Sequence, residues 1–257
     1  MRSVLTLTAI PLLLAARAQA ALPDEFQVYT DDINKPKEFG LELHVNSTPD
    51  GVSQQAYPGE IVANHGVRMT PEFSYGLNED FEAGLYVPTS LNNGDWRIAG
   101  FKLRMKWLPL KVVDGQGWFA GANLELSDVS TRFEGARYNA ELRTMIGYRV
   151  DEWLFAINPV FGTTLSHSQE NPQPRNPDFS LGYKVSRNVA DGIDLGLEYY
   201  NEKGSWHRFD PGSEQSKMLF LAADITKGPL PFNIGIGRGL NDNTDRWTVK
   251  MIFEIPW

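Results

Sequence analysis

Three bases stand at alternate positions in one short stretch, Lys102, Arg104 and Lys106. Side chains of a β-strand point to opposite faces in turn, so these three share a face, while Phe101, Leu103, Met105 and Trp107 occupy the other. Similar polar faces carry Arg68 and Glu72, Glu125, and Glu141 with Arg143. Charges of both signs at strand spacing can do two things. They can pair into a ladder that fills and stiffens an interior, or they can line a polar track in which Lys102, Arg104, Lys106 and Arg143 discriminate against cations. Hydrolytic chemistry would need a serine, a histidine base and an orienting polar group within hydrogen-bond reach. His44 has Asn46 and Ser47 nearby, but there is no Gly-x-Ser-x-Gly elbow. His65, His167 and His207 fall in loop-like sequence, and no spacing specifies a metal site. No catalytic residue, metal or cofactor is expected, and an enzyme is not the leading expectation.

The elements that position these residues follow from the same alternation. Near the end of the sequence, Trp247, Val249, Met251, Phe253, Ile255 and Trp257 share one parity and are all apolar or aromatic. Arg246, Thr248, Lys250 and Glu254 share the other. Twelve such segments can be read: 39–47, 67–77, 81–89, 96–108, 117–127, 137–150, 153–165, 178–187, 193–200, 217–226, 232–240 and 246–257. Linkers 78–80, 151–152 and 188–192 are short, while 48–66, 166–177 and 202–216 are long and polar. Linkers 90–95 and 109–116 break this rhythm. Short turns at one end and long loops at the other describe a transmembrane barrel. The fold class expected is all-β, a closed antiparallel transmembrane β-barrel of about 12 strands. In hydrocarbon every backbone donor and acceptor must be paired within the protein, so the sheet has to close on itself.

Residues 1–20 read as a secretory signal peptide, with Arg2, an apolar Val4–Ala16 run and Ala18-Gln19-Ala20 before the cut. Residues 21–37 are polar and irregular, an expected periplasmic N-terminal segment or plug-like tail, and 38–257 the barrel. The whole sequence has a formal net charge of -8. Acidity argues against a nucleic-acid partner. Zero cysteines in an exported chain exclude a disulfide-stapled scaffold. No later stretch is apolar for long enough to make a helical span. Trp107, Trp118, Tyr148, Trp153 and Trp257 fall at strand ends with outward parity, the pattern of an aromatic girdle at the headgroup level. Glycines 40, 76, 84, 121, 147, 162, 182, 196, 235 and 237 share the inward parity. A one-sided glycine bias marks a crowded face.

Two resemblances complete the reading. A final strand ending on Trp257 resembles the assembly signal of bacterial outer-membrane proteins, which implies the barrel-assembly machinery and outer-membrane lipids as partners. The stretch Met69–Pro88, with Tyr75-Gly76-Leu77, an acidic turn, Phe81-Glu82-Ala83 and Gly84-Leu85, resembles a hairpin of small Gram-negative outer-membrane barrels. It looks most like the putative transporter family found with meta-pathway phenol degradation genes. The resemblance implies a narrow porin-like channel or uptake protein of the cell outer membrane for small solutes, apolar or aromatic ones included. The alternatives are a lipid-modifying outer-membrane enzyme and a plugged structural barrel.

Overall fold

The computed structural model describes residues 25–169 and 177–256. Fourteen ladder segments are present: β1 Phe39–Asp50, β2 Val67–Gly76, β3 Phe81–Tyr86, β4 Thr89–Asn92, β5 Asp95–Ile98, β6 Gly100–Leu110, β7 Gly117–Val129, β8 Tyr138–Val150, β9 Trp153–Thr164, β10 Asp178–Ala190, β11 Ile193–Ser205, β12 Ser216–Ile225, β13 Phe232–Gly239 and β14 Trp247–Glu254. Sequential neighbours pair antiparallel, and β1 pairs with both β2 and β14, which closes the sheet. Two strands are each interrupted once. β3 and β4 are one strand broken at Val87-Pro88, and β5 and β6 are one strand broken at Ala99. The result is a 12-stranded barrel, as the alternation requires.

Pro88 has no N–H to donate, which ends the β3 ladder. Its carbonyl instead accepts from the Ala99 amide at 2.8 Å, so the wall stays hydrogen-bonded across the break. Beyond it, β4 and β5 project as a hairpin. Asn93 and Gly94 turn it, both at positive φ (52° and 82°), the Asn-Gly chemistry of a tight hairpin. The linker 90–95 is therefore short because most of it is strand, paired as the β4–β5 hairpin.

The two faces sort as the alternation dictates. Leu103, Leu126, Leu197, Leu221 and Ile236 are each about half exposed (53%, 48%, 52%, 59% and 50%) and point away from the interior. So continuous an apolar exterior is untenable in water and expected in hydrocarbon. Inward positions are polar and buried: Arg68, Glu72, Lys102, Arg104, Lys106, Glu125 and Arg143. The interior is not purely polar, however. Phe119, Leu154 and Ala156 form a buried apolar patch on the inner wall, and Phe220 is fully buried. Their parity is inward, where a strict alternation would place polar groups. What covers them comes from outside the barrel strands.

Candidate functional site

Residues 25–37 run inside the barrel. The segment leaves the wall at the short-turn end, where the Lys37 amide donates to the Gly76 carbonyl at 2.7 Å. Asn34 then ties to the same side of the wall: its amide donates to Glu82 at 2.7 Å and its side chain to Ser74 Oγ at 2.7 Å. Gly76 has no side chain because the Lys35 carbonyl crosses where a Cβ would sit. Further in, Asp31 holds Arg149 of β8 (2.7 Å). At the middle, Asn158 of β9 clamps Tyr29 from both sides. Its Oδ1 accepts from the Tyr29 amide at 2.6 Å, and its Nδ2 donates to the Tyr29 carbonyl at 3.0 Å. Asn158 thus stands in for a strand neighbour, pairing a lone stretch of backbone that would otherwise be buried unsatisfied.

The Tyr29 ring sits at the centre of the lumen. Its hydroxyl is 2.6 Å from the Tyr86 hydroxyl and donates to Glu25 at 2.6 Å. The Arg143 guanidinium lies 4.6 Å from the ring centroid and the Lys106 ammonium 5.2 Å, both within cation–π range. Arg143 also donates to the Gln27 carbonyl at 3.0 Å, and Lys250 of β14 to the Phe26 carbonyl at 3.0 Å. Val28 packs onto Phe119, Leu154 and Ala156. Phe26 packs between Tyr200 and Phe220, with centroids 5.5 and 5.1 Å away. The inward apolar patch is therefore the seat of Phe26 and Val28.

The bases named from the sequence face the interior, and Arg104 and Arg143 are paired there with acids. Arg104 binds Glu72 and Glu82. Arg143 binds Glu141 at 2.9 Å, and Glu125 accepts from Asn123 at 2.7 Å. Lys102 and Arg68 are buried in the same wall, Arg68 donating to the Ile61 carbonyl at 2.9 Å. On the far wall, Lys184 lies 2.8 Å from Asp224, and Lys250 binds Glu198. His44 is buried, with Nε2 3.2 Å from Glu72 and 3.5 Å from Glu42, and its Nδ1 has no partner. Its polar partners are carboxylates, and no serine hydroxyl bonds its ring among the described residues. Trp107, Trp118 and Trp153 are exposed on the outer face near the short turns, Trp107 stacked on Phe81 and Trp118 against Tyr148. Trp257 lies outside the described residues, as do residues 1–24.

Segment 25–37 divides the lumen into two chambers. The one at the short-turn end has a volume of about 880 Å³. Its walls carry Asp31, Asp32, Glu38, Glu42, Glu72, Glu82 and Glu254 against Arg104 and Lys106. The one at the loop end, about 160 Å³, is lined by Glu25, Glu60, Glu202, Asp210, Glu214 and Asp245 against Arg68 and Arg143, and Phe26, Phe133 and Tyr200 add apolar surface. Burial pushes the loop carboxyl of Asp245 up, opposed by the Val52 amide that donates to it. Both chambers carry an excess of acid.

Tyr29, Asn158 and Tyr86 carry no pattern that marks them in the sequence. The available signal was the irregular polar stretch before the first strand, together with inward-parity Phe119, Leu154 and Phe220, which need a cover.

No known protein-family model matches the chain, and no curated protein matches it in sequence. Solved structures do match. An outer membrane channel from Pseudomonas putida F1 superposes with a TM-score of 0.58 at 10% identity, over 88% of this chain and 97% of that one. The KdgM porin in complex with oligogalacturonate superposes with a TM-score of 0.50 at 10% identity, over 86% and 99%. The chain has the fold of outer-membrane β-barrels, proteins that sit among membrane lipids.

Proposed function

We infer that this protein is a gated channel of the outer membrane for small solutes, with residues 25–37 as the gate. The observation that carries the reading is the division of the lumen. Two water-accessible chambers, one at each end, are separated by a stretch of backbone held by side chains rather than by a barrel strand. Opening needs displacement of that stretch and no change in the strand ladder. The fold shared with outer-membrane channels supports the same reading.

Lys102, Arg104, Lys106 and Arg143 do not make the lumen anion-selective in this proposal. Acids outnumber bases in both chambers, and a charged cleft with low-dielectric walls concentrates counter-ions. Cations are favoured among charged solutes. The hairpin at Met69–Pro88 and the aromatic surface of the loop-end chamber support small apolar or aromatic solutes as the class carried, in line with the resemblance to the phenol-degradation transporter family. The outer girdle Trp107, Trp118, Tyr148, Trp153 and Trp257 is assigned to the periplasmic headgroup level. Insertion through the strand ending at Trp257 by the barrel-assembly machinery belongs to the same proposal.

Planar-bilayer recordings test it. Wild-type protein should show small, intermittent conductance with a reversal potential favouring potassium over chloride. Deletion of residues 26–34, in a barrel shown to be folded by its heat-modifiable migration, should raise conductance several-fold. Equal conductance before and after deletion rules out the gate. Silence in both rules out the channel and leaves a structural barrel with a fixed plug.

A further inference from the structure

We propose that Glu42, His44 and Glu72 form a binding site for a divalent first-row transition-metal ion on the wall of the short-turn chamber. The argument starts with register. Glu42 of β1 stands directly opposite Glu72 of β2 on one side and Glu254 of β14 on the other. Like charges directly opposed across a ladder are destabilising, and here three carboxylates stand in one row. The Glu254 carboxylate has no hydrogen bond or ion pair among the described residues. His44 is the next inward residue of β1, buried beside the chamber that Glu42 and Glu72 line, so β1 supplies an imidazole and a carboxylate and β2 the second carboxylate.

The distances fit a shared metal ion. One nitrogen and two carboxylate oxygens, one from each residue, all lie within 4.8 Å of one another. Nε2 is 3.2 Å from a Glu72 oxygen and 3.5 Å from a Glu42 oxygen. A charge-assisted bond from imidazolium to carboxylate is shorter, about 2.7–2.9 Å, and a single N–H cannot align on two acceptors at once. Bonds of about 2.0–2.2 Å from an ion to nitrogen and oxygen place neighbouring ligand atoms roughly 3.0–3.5 Å apart. The two nitrogen–oxygen separations match the ligand edges of a shared ion.

The surroundings suit a held ion. The imidazole is 1% exposed, so its orientation is set by the wall. The other oxygen of Glu72 is bound by Arg104, which orients the carboxylate as outer ligand partners do. Glu42 is 34% exposed to the chamber, leaving room for water to complete the coordination. One nitrogen with two oxygens suits zinc, manganese or cobalt. Calcium takes six to eight oxygens at longer distance, and these three residues do not supply them. The inference rests on the barrel and its register alone, so it stands or falls apart from the channel.

The probe is zinc alone, added to the chelator-stripped full-length protein in detergent at neutral pH and followed by calorimetry and by metal analysis after desalting. Wild type should retain one equivalent that Glu42→Gln and His44→Ala weaken at least tenfold. Calcium should not compete. In protein labelled with ¹⁵N-histidine, zinc should move the His44 ring nitrogens to the pattern of a neutral, metal-bound imidazole. The loop histidines make the variants decisive: retention that survives both substitutions lies elsewhere on the protein and overturns the site. So does a folded wild type that keeps no zinc, or a His44 ring that remains doubly protonated in its presence.

Discussion

Asn158→Ala is the sharpest test of what holds segment 25–37 in place. The side chain is 1% exposed and makes two hydrogen bonds, both to the backbone of Tyr29, at 2.6 and 3.0 Å. Each is worth roughly 0.5–1.5 kcal/mol net, so alanine loosens the segment by about 1–3 kcal/mol. At 1.4 kcal/mol per factor of ten, that is a shift of about 5- to 150-fold toward the released state. The change is confined to an inward side chain, and the β9 backbone ladder keeps all its partners. Release should be partial, because Arg143 still holds the Gln27 carbonyl and Arg149 still holds Asp31. Two assays read it. Amide hydrogen exchange at Tyr29 should accelerate by the stated factor while amides of the β8–β9 ladder stay unchanged. Single-channel open probability should rise in the same proportion. Uniform acceleration along β9 would mean that the barrel itself was damaged. Unchanged exchange at Tyr29 would refute the clamp, and faster exchange with unchanged open probability would refute the gate.

Three further substitutions bear on register and on the entry of the segment. Leu142 is 42% exposed on the outer face, and Leu142→Arg near mid-membrane should cost roughly 2–4 kcal/mol in a folding titration into lipid. Its neighbour behaves differently from what alternation alone suggests. Arg143→Leu strands Glu141 and the Gln27 carbonyl in the interior, so it should cost about 3 kcal/mol and, unlike Leu142→Arg, also speed exchange at residues 26–29. Identical signatures for the two variants would put both side chains on one face and overturn the register. Gly76→Val places a side chain where the Lys35 carbonyl crosses the wall. It should expel residues 35–37 and break the Lys37–Gly76 bond, read as faster maleimide labelling of the part-buried position 34 as Asn34→Cys in the Gly76→Val background. No change in labelling would mean that the chain takes another path.

The barrel was legible because two solvents act on it at once. Hydrocarbon outside and polar contents inside impose a period of two on every strand, and that period survives without knowledge of any contact. It places Arg68, Glu72, Lys102, Arg104 and Arg143 inward and Leu103, Leu126 and Leu142 outward, where the structure has them. Strand ends were less legible where the chain departs from a plain ladder: the bulge between Ser47 and Asp50 lengthens β1, and the Pro88 break with the projecting β4–β5 hairpin hides the extension of the rim. The lumen's occupant was barely legible at all. Residues 25–37 make no ladder of their own, so no periodicity announces them, and their anchors come from long range: Tyr29 to Asn158, Arg149 to Asp31, Lys250 to Phe26. What the alternation did contain was its own exceptions. Phe119, Leu154 and Phe220 stand inward as apolar residues in a polar row, and an apolar patch in a wet lumen needs a cover.

The same long-range pairing explains why a run of bases misleads about charge. Lys102, Arg104 and Lys106 look like a cationic stripe along one strand, but a ladder sets each residue against its neighbours on both sides. Glu82 stands opposite Lys106 in the register but binds Arg104, which also binds Glu72. A paired base contributes little field at a distance, because its partner's opposite charge cancels it within a few ångströms. The field in the lumen comes from what is left over: among the described residues the Glu254 carboxylate has no partner, Glu42 is shared only with His44, and Lys106 meets the Tyr29 ring but no acid. Selectivity should therefore respond to the leftover acids more than to the conspicuous bases. Glu254→Gln should shift the reversal potential toward chloride, whereas Lys102→Gln should move it little. The reverse order would mean that the stripe, and not the remainder after pairing, governs passage.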